Sequence, residues 1–115
     1  MNYDLCLHLD SNDPAMLRLV LKNATNYLNA LPDEKVSLSV VVNGPGVVHF
    51  ATTDADMRQQ TEGLMARGVR FCLCANALAD NQLTAADLWP GCEVVPAGLV
   101  EVVRLQRAGY AYIRP

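Results

Sequence analysis

The sequence predicts an α/β domain built on a parallel sheet, and three observations carry that expectation. Residues 69–74 form a β-branched and apolar run directly after Gly68, the pattern of a core strand entered as a helix ends. Short runs of this kind alternate along the chain with stretches whose apolar residues recur at helical spacing. The length of 115 residues, 51% hydrophobic and 18% charged, suffices for one core but not for two, so residues 1–115 form a single domain.

The elements follow in order. Residues 3–9 set Leu5, Leu7 and Leu9 against Asp4, Cys6 and His8, a period of two that marks a first strand with one firmly apolar face. His8, on the other face, is read as a hydrogen-bonded structural residue. Residues 10–14 combine cap-type side chains with Pro14 at the first helical position, and Leu17, Val20, Leu21, Ala24, Leu28 and Leu31 then define a buried helical stripe that ends at Pro32-Asp33. This first loop has neither a Gly-rich phosphate fingerprint nor the Ser/Thr-rich loop that holds a flavin phosphate. Asp10 alone does not make a phosphoacceptor domain, because the third strand ends in Cys74 where such a domain needs an aspartate.

Residues 36–43 form the second strand, closed by Asn43-Gly44-Pro45-Gly46. Glycines around a proline bring bare backbone N–H groups to the carboxyl edge of the sheet, where an anion or carbonyl oxygen can sit; the same tripeptide also serves as a plain connector. An irregular or short helical segment carries His49, whose distance along the chain from the loop allows it to reach the rim and help ionise a thiol. Thr53 or Asp54 caps a helix running to Arg67, with Met57, Thr61, Leu64 and Met65 inward and Gly68 as its stop. After the third strand, residues 76–83 read as a short helix and turn, and Thr84-Ala85-Ala86-Asp87 as a capping pattern opening another helix near the thiol. Leu88-Trp89-Pro90-Gly91 is a turn with an aromatic plug, residues 92–95 a fourth strand, residues 98–108 a last helix and residues 110–114 a final strand. Leu99, Val102, Val103 and Leu105 cover more than one face of that helix, as a partner subunit would require.

Composition excludes several classes of function. A net charge of −3 with nine scattered Lys and Arg residues leaves no nucleic-acid footprint. No apolar run approaches the length of a membrane span, and the start Met1-Asn2-Tyr3-Asp4 lacks the basic residue and apolar block of a signal peptide, so the expected location is the cytoplasm. The four cysteines are then expected as free thiols. Cys72 and Cys74 project side by side from one strand face, where a disulfide would strain the extended backbone. The Cys-x-Cys pair with a distant Cys92 lacks the spacing that wraps a tetrahedral ion, so no metal is expected, and no cofactor.

Cys74 is the principal candidate for chemistry. It ends a core strand at the edge where loops converge and ligands bind in open α/β sheets, and a helix start nearby favours the thiolate. A free cysteine otherwise behaves as a small buried hydrophobe. The reactive reading requires the sulfur to lie open at the sheet's rim.

Asn43-Gly44-Pro45-Gly46-Val47, Gly68-Val69-Arg70-Phe71, Cys74-Ala75-Asn76-Ala77-Leu78, Val94-Val95-Pro96-Ala97-Gly98 and Gly109-Tyr110-Ala111-Tyr112-Ile113 together resemble the DsrE/DsrF-like family of small sulfur-relay proteins, in its intracellular single-domain branch. The resemblance runs almost end to end. It implies a three-layer α/β/α domain with a mainly parallel five-stranded sheet, assembled as homotrimers or hexamers. It also implies that Cys74 carries sulfur as a persulfide and passes it to a cysteine of a partner protein. Cys72 has no counterpart in that scheme and is read as core, and Cys92, between a turn and a strand, is weighed as a resolving thiol. The expected function is sulfur handling by a sulfurtransferase or sulfur carrier, with Cys74 as nucleophile, the backbone of Asn43, Gly44 and Gly46 steadying the sulfur, and His49 and Asn76 as accessory groups. The alternative is a non-catalytic oligomeric module that binds a small ligand, with Cys74 as pocket wall.

Overall fold

A computed structural model describes residues 2–115. Five strands and four helices alternate: β1 (Leu5–Leu9), α1 (Pro14–Asn29), β2 (Leu38–Val42), α2 (Ala55–Ala66), β3 (Arg70–Cys74), α3 (Ala75–Asp80), β4 (Glu93–Val95), α4 (Gly98–Arg107) and β5 (Ala111–Ile113). A 3₁₀ segment, Gly44–Ala51, joins β2 to α2, and a single 3₁₀ turn, Ala85–Asp87, precedes β4. The strands form one all-parallel sheet in the order β4-β3-β2-β1-β5. Among the described residues no helix is long and apolar enough to cross a membrane.

Local chemistry explains the element ends. Asp13 accepts a hydrogen bond from the Ala15 N–H at 3.0 Å and Pro14 occupies the first turn, so α1 starts there. Asp54 does the same for α2 through the Met57 N–H, also at 3.0 Å. Gly68, at φ +92°, takes the left-handed conformation that lets α2 turn directly into β3. The capping pattern at Thr84 is real, since the Asp87 carboxylate accepts from the Thr84 N–H at 2.8 Å, yet only one 3₁₀ turn follows. Leu88 is already extended at ψ 154°, and Pro90 disfavours helix at Trp89 after it, so the turn does not lengthen.

The side-chain alternation of the strands divides the interior in two. Leu5, Leu7, Leu9, Val40, Val42, Phe71 and Leu73 face α1 and α2 and make the larger core with Leu17, Val20, Leu21 and Leu64. Phe50 and Trp89 extend this core under the 3₁₀ segment, with ring centroids 5.4 Å apart, edge to face. The Trp89 indole N–H donates to the Thr52 carbonyl at 2.8 Å, which fixes the plug the turn was expected to supply. On the opposite face Cys6, Val41 and Cys72 pack against Val95 and against Val102 and Leu105 of α4.

Handedness explains why α4 stands alone there. The connections β1-α1-β2 and β2-α2-β3 step the sheet in one direction, and right-handed crossovers place their helices on one face. From β4 the chain returns past three strands to pair β5 with β1, so the same handedness carries α4 to the other face.

Candidate functional site

The carboxyl ends of β3 and β4 flank the point where the chain changes sides of the sheet. The segment after β3, α3, packs Ala77 and Leu78 into the larger core, whereas the segment after β4 crosses to the opposite face as α4. Such a divergence opens the crevice in which open α/β sheets bind ligands. Cys74 is the last residue of β3 and sits in register with Val95, the last residue of β4.

The start of α4 closes on this cysteine. A Cβ placed on Gly98 would lie 3.0 Å from the Asn43 Cβ, 3.4 Å from the Cys74 Cβ and 3.6 Å from the Val41 side chain, so only glycine leaves the three in unstrained contact. Ala97, at the N-cap, has no side chain able to accept a hydrogen bond, and the first N–H groups of α4 stay without the carboxylate caps that close α1 and α2. Glycine at the first position and alanine at the cap, within the Pro96-Ala97-Gly98 run, are the signal in the sequence for this approach; neither stood out as a site residue on its own.

Asn43 is oriented from behind. The Tyr112 hydroxyl lies 2.5 Å from His8 Nδ1 and the Asn43 Oδ1 lies 2.8 Å from His8 Nε2. In the neutral ring that satisfies both partners, Tyr112 donates to Nδ1 and Nε2–H donates to Asn43 Oδ1. That bond occupies the Asn43 carbonyl oxygen and leaves its amide NH₂ outside the His8 pairing, on a side chain whose Cβ stands beside Gly98. His8 is a buried, fully paired residue, as its strand position suggested.

The four cysteines are free, but they are not equivalent. Cys6 and Cys72 have no exposed surface, and burial above all pushes both thiols up to about 11, against the opposing charge of Arg70 in the case of Cys72. Burial alone pushes Cys92 up to about 11. Cys74 keeps 6% of its surface in contact with solvent. The open rim expected from sequence is corrected to a narrow one: the sulfur-bearing residue stands at the sheet's edge, but α3 begins on it and Gly98 presses against it, so most of its surface is covered.

The remaining sequence candidates are dispersed. Gly46 packs against the end of β1, where a Cβ would meet the Leu9 carbonyl oxygen at 2.9 Å, and Gly44, at φ +55°, lies by the Asp10 carbonyl. Asn76 is exposed on α3. His49 is buried on the α1 and α2 side, with its Nε2–H donating to the Ser11 carbonyl at 2.8 Å, and it lines a separate cavity that Cys74 does not reach. The structure therefore brings Asn43 and Cys74 together, leaves His49 in a separate cavity, and exposes Asn76 on the helix that Cys74 opens.

Comparison with known proteins agrees with this architecture. Over 99% of its length the chain is similar to all of the protein of unknown function MTH1491 from Methanobacterium thermoautotrophicum, with 34% identity and a TM-score of 0.90. The ychN protein from E. coli superposes over the whole of both chains with a TM-score of 0.80 at 16% identity. Protein BT1422 of unknown function from Bacteroides thetaiotaomicron has a TM-score of 0.77 at 12% identity, covering 97% of this chain and 94% of that one. These last two likenesses concern the fold. No curated protein matches the chain. The profile of the DsrE/DsrF-like family matches residues 6–115, and the chain, with its five parallel strands and its cysteine at the end of the third, belongs to that family, which is associated with sulfur relay.

Proposed function

We propose that the protein handles sulfane sulfur through Cys74. One observation carries the proposal: Cys74 ends β3 at the point where the sheet's connections diverge, against the uncapped start of α4, where Gly98 also meets Asn43. Helix N–H groups favour negative charge on sulfur, and they do so more strongly where water is scarce. In the reaction, the Cys74 thiolate attacks the outer sulfur of a donor persulfide. A new S–S bond forms, the donor's own S–S bond breaks, and the donor leaves as a thiolate with the electron pair. Transfer onward repeats the exchange: an acceptor thiolate takes the outer sulfur and Cys74 leaves as thiolate, with no external oxidant or reductant.

Self-association as a trimer or hexamer belongs to the same reading. Leu99 and Val100 on α4 are 62% and 67% exposed, with Val103, Val94, Tyr112 and Ile113 also open, so an apolar surface lies on the face that one helix only partly covers. A second copy laid on this face would border the entrance to Cys74.

The low exposure of Cys74 favours one competing reading, a binding module in which the cysteine is wall. Mass spectrometry after incubation with a low-molecular-weight persulfide separates the two. The expected result is one added sulfur on Cys74, removed by a thiol reductant and absent in Cys74→Ser. No added sulfur on Cys74 of the folded protein would leave the binding module as the answer.

A further inference from the structure

A cavity of about 370 Å³ opens between the first turns of α1 and α2, on the face of the sheet away from α4. Its size falls within the range of small-molecule sites. Pro14, Leu17 and Met57 supply apolar wall, and His49, Thr53 and Asp54 supply polar groups.

His49 points to what the cavity would hold. A carbonyl oxygen only accepts, so the hydrogen bond to Ser11 puts the ring proton on Nε2 and leaves Nδ1 with its lone pair in the neutral imidazole. Among the described residues that lone pair has no hydrogen-bond partner. Among the described residues, the Ser39 hydroxyl is the fully sealed side-chain polar atom that lacks a partner, so Nδ1 is reached by solvent. The residue is 94% buried, at 6% relative exposure, and the cavity it lines is its opening to that solvent.

The electrostatics decide the sign of the occupant. Two helix starts converging on a cavity would ordinarily invite an anion. Here Asp13 and Asp54 already occupy those ends, each accepting from a first-turn N–H at 3.0 Å, and no Lys or Arg lines the walls. The cavity therefore offers acceptors and negative charge above an apolar floor. We propose that it binds a small organic cation with an apolar body, an amine or amidine whose N–H groups donate to His49 Nδ1 and to the Asp54 carboxylate while its body lies on Leu17 and Met57. Cys74 takes no part, so this site stands or falls separately from sulfur transfer.

Benzamidine and benzoate, matched in shape and opposite in charge, test it by ¹H–¹⁵N NMR on the full chain. Benzamidine should shift amides of residues 15–17 and 49–57 in a saturable manner at millimolar concentration, with Cys74→Ser behaving as the unaltered protein, and benzoate should not. Asp54→Asn keeps a cap-competent side chain and removes the charge, and should weaken benzamidine at least about tenfold. His49→Phe should abolish the response in a chain that retains a dispersed spectrum. If His49→Phe does not fold, Asp54→Asn decides. Equal binding of benzoate, absence of saturable shifts, or full affinity in Asp54→Asn would overturn the proposal.

Discussion

Two glycines illustrate how much depends on individual atoms. At Gly46 a methyl group would stand 2.9 Å from the Leu9 carbonyl oxygen and 3.3 Å from the Val42 side chain, with no flexible group to yield. Gly46→Ala should therefore cost about 1–3 kcal/mol, seen as a lower urea midpoint with an unchanged slope. Gly63, in the interior of α2, has nothing within 4 Å of its would-be Cβ, and Gly63→Ala should raise stability by about 0.5–1 kcal/mol. A midpoint that moves the same way in both variants would mean that helix propensity, not contact, governs both positions. From sequence Gly46 is read for its backbone at the sheet's edge, and neither glycine reveals what a side chain there would meet. The clash at one and the open space at the other arise from parts of the fold distant in the chain or from its solvent side.

At the scale of elements, more was legible. Asp13 and Asp54 as caps, Gly68 as a stop, and the period-two pattern of β1 all follow from local rules, and the structure agrees with them to within a residue or two. The Thr84 pattern was legible as a cap but not as a helix, because the proline downstream limits what the cap can nucleate. His49 was assigned to the wrong neighbourhood for a similar reason: its distance along the chain from Asn43 is fixed, but the face toward which a 3₁₀ segment turns it is a tertiary outcome. The polar side of α4 was not foreseen at all. Glu101 is buried against the sheet, held by Arg104 at 2.5 and 2.9 Å and reached by Arg70 at 3.8 Å, while Arg70 also forks onto Glu93 at 2.9 and 3.1 Å. The Arg104 hydrogen bonds, aided by the charges of Arg104 and Arg70 and opposed by burial, hold the Glu101 carboxyl below its ordinary range. A depressed carboxyl contributes its stability above the unfolded value, near about pH 4.3, and loses it as the pH falls through the lower folded value. Stability measured by urea should therefore fall less steeply on acidification in Glu101→Gln than in the unaltered protein, and parallel curves would dismiss the contribution.

The whole molecule is lopsided. Two long helices cover one face of the sheet and α4 the other, an imbalance that follows from strand order and crossover handedness and not from any local pattern. What the sequence did carry was the surplus of apolar residues on α4, although it could not say which of them face outward. Leu99, Val100 and Val103 do, and self-association is the proposed remedy. In sedimentation equilibrium the unaltered protein should be larger than a monomer at micromolar concentration. The double substitution Leu99→Glu and Val100→Glu should return it to the monomer, with the circular dichroism spectrum retained. A monomeric unaltered protein would remove the subunit reading.

Trp89 has a practical consequence. It is the single tryptophan of the chain, wedged against Phe50 and tied through its indole nitrogen to Thr52, a residue that lines the His49 cavity. Fluorescence excited at the red edge of the aromatic band thus comes from one chromophore in one place. Its colour and quenching report the tightness of a particular loop, so that local loosening and global denaturation become separable events in the same cuvette.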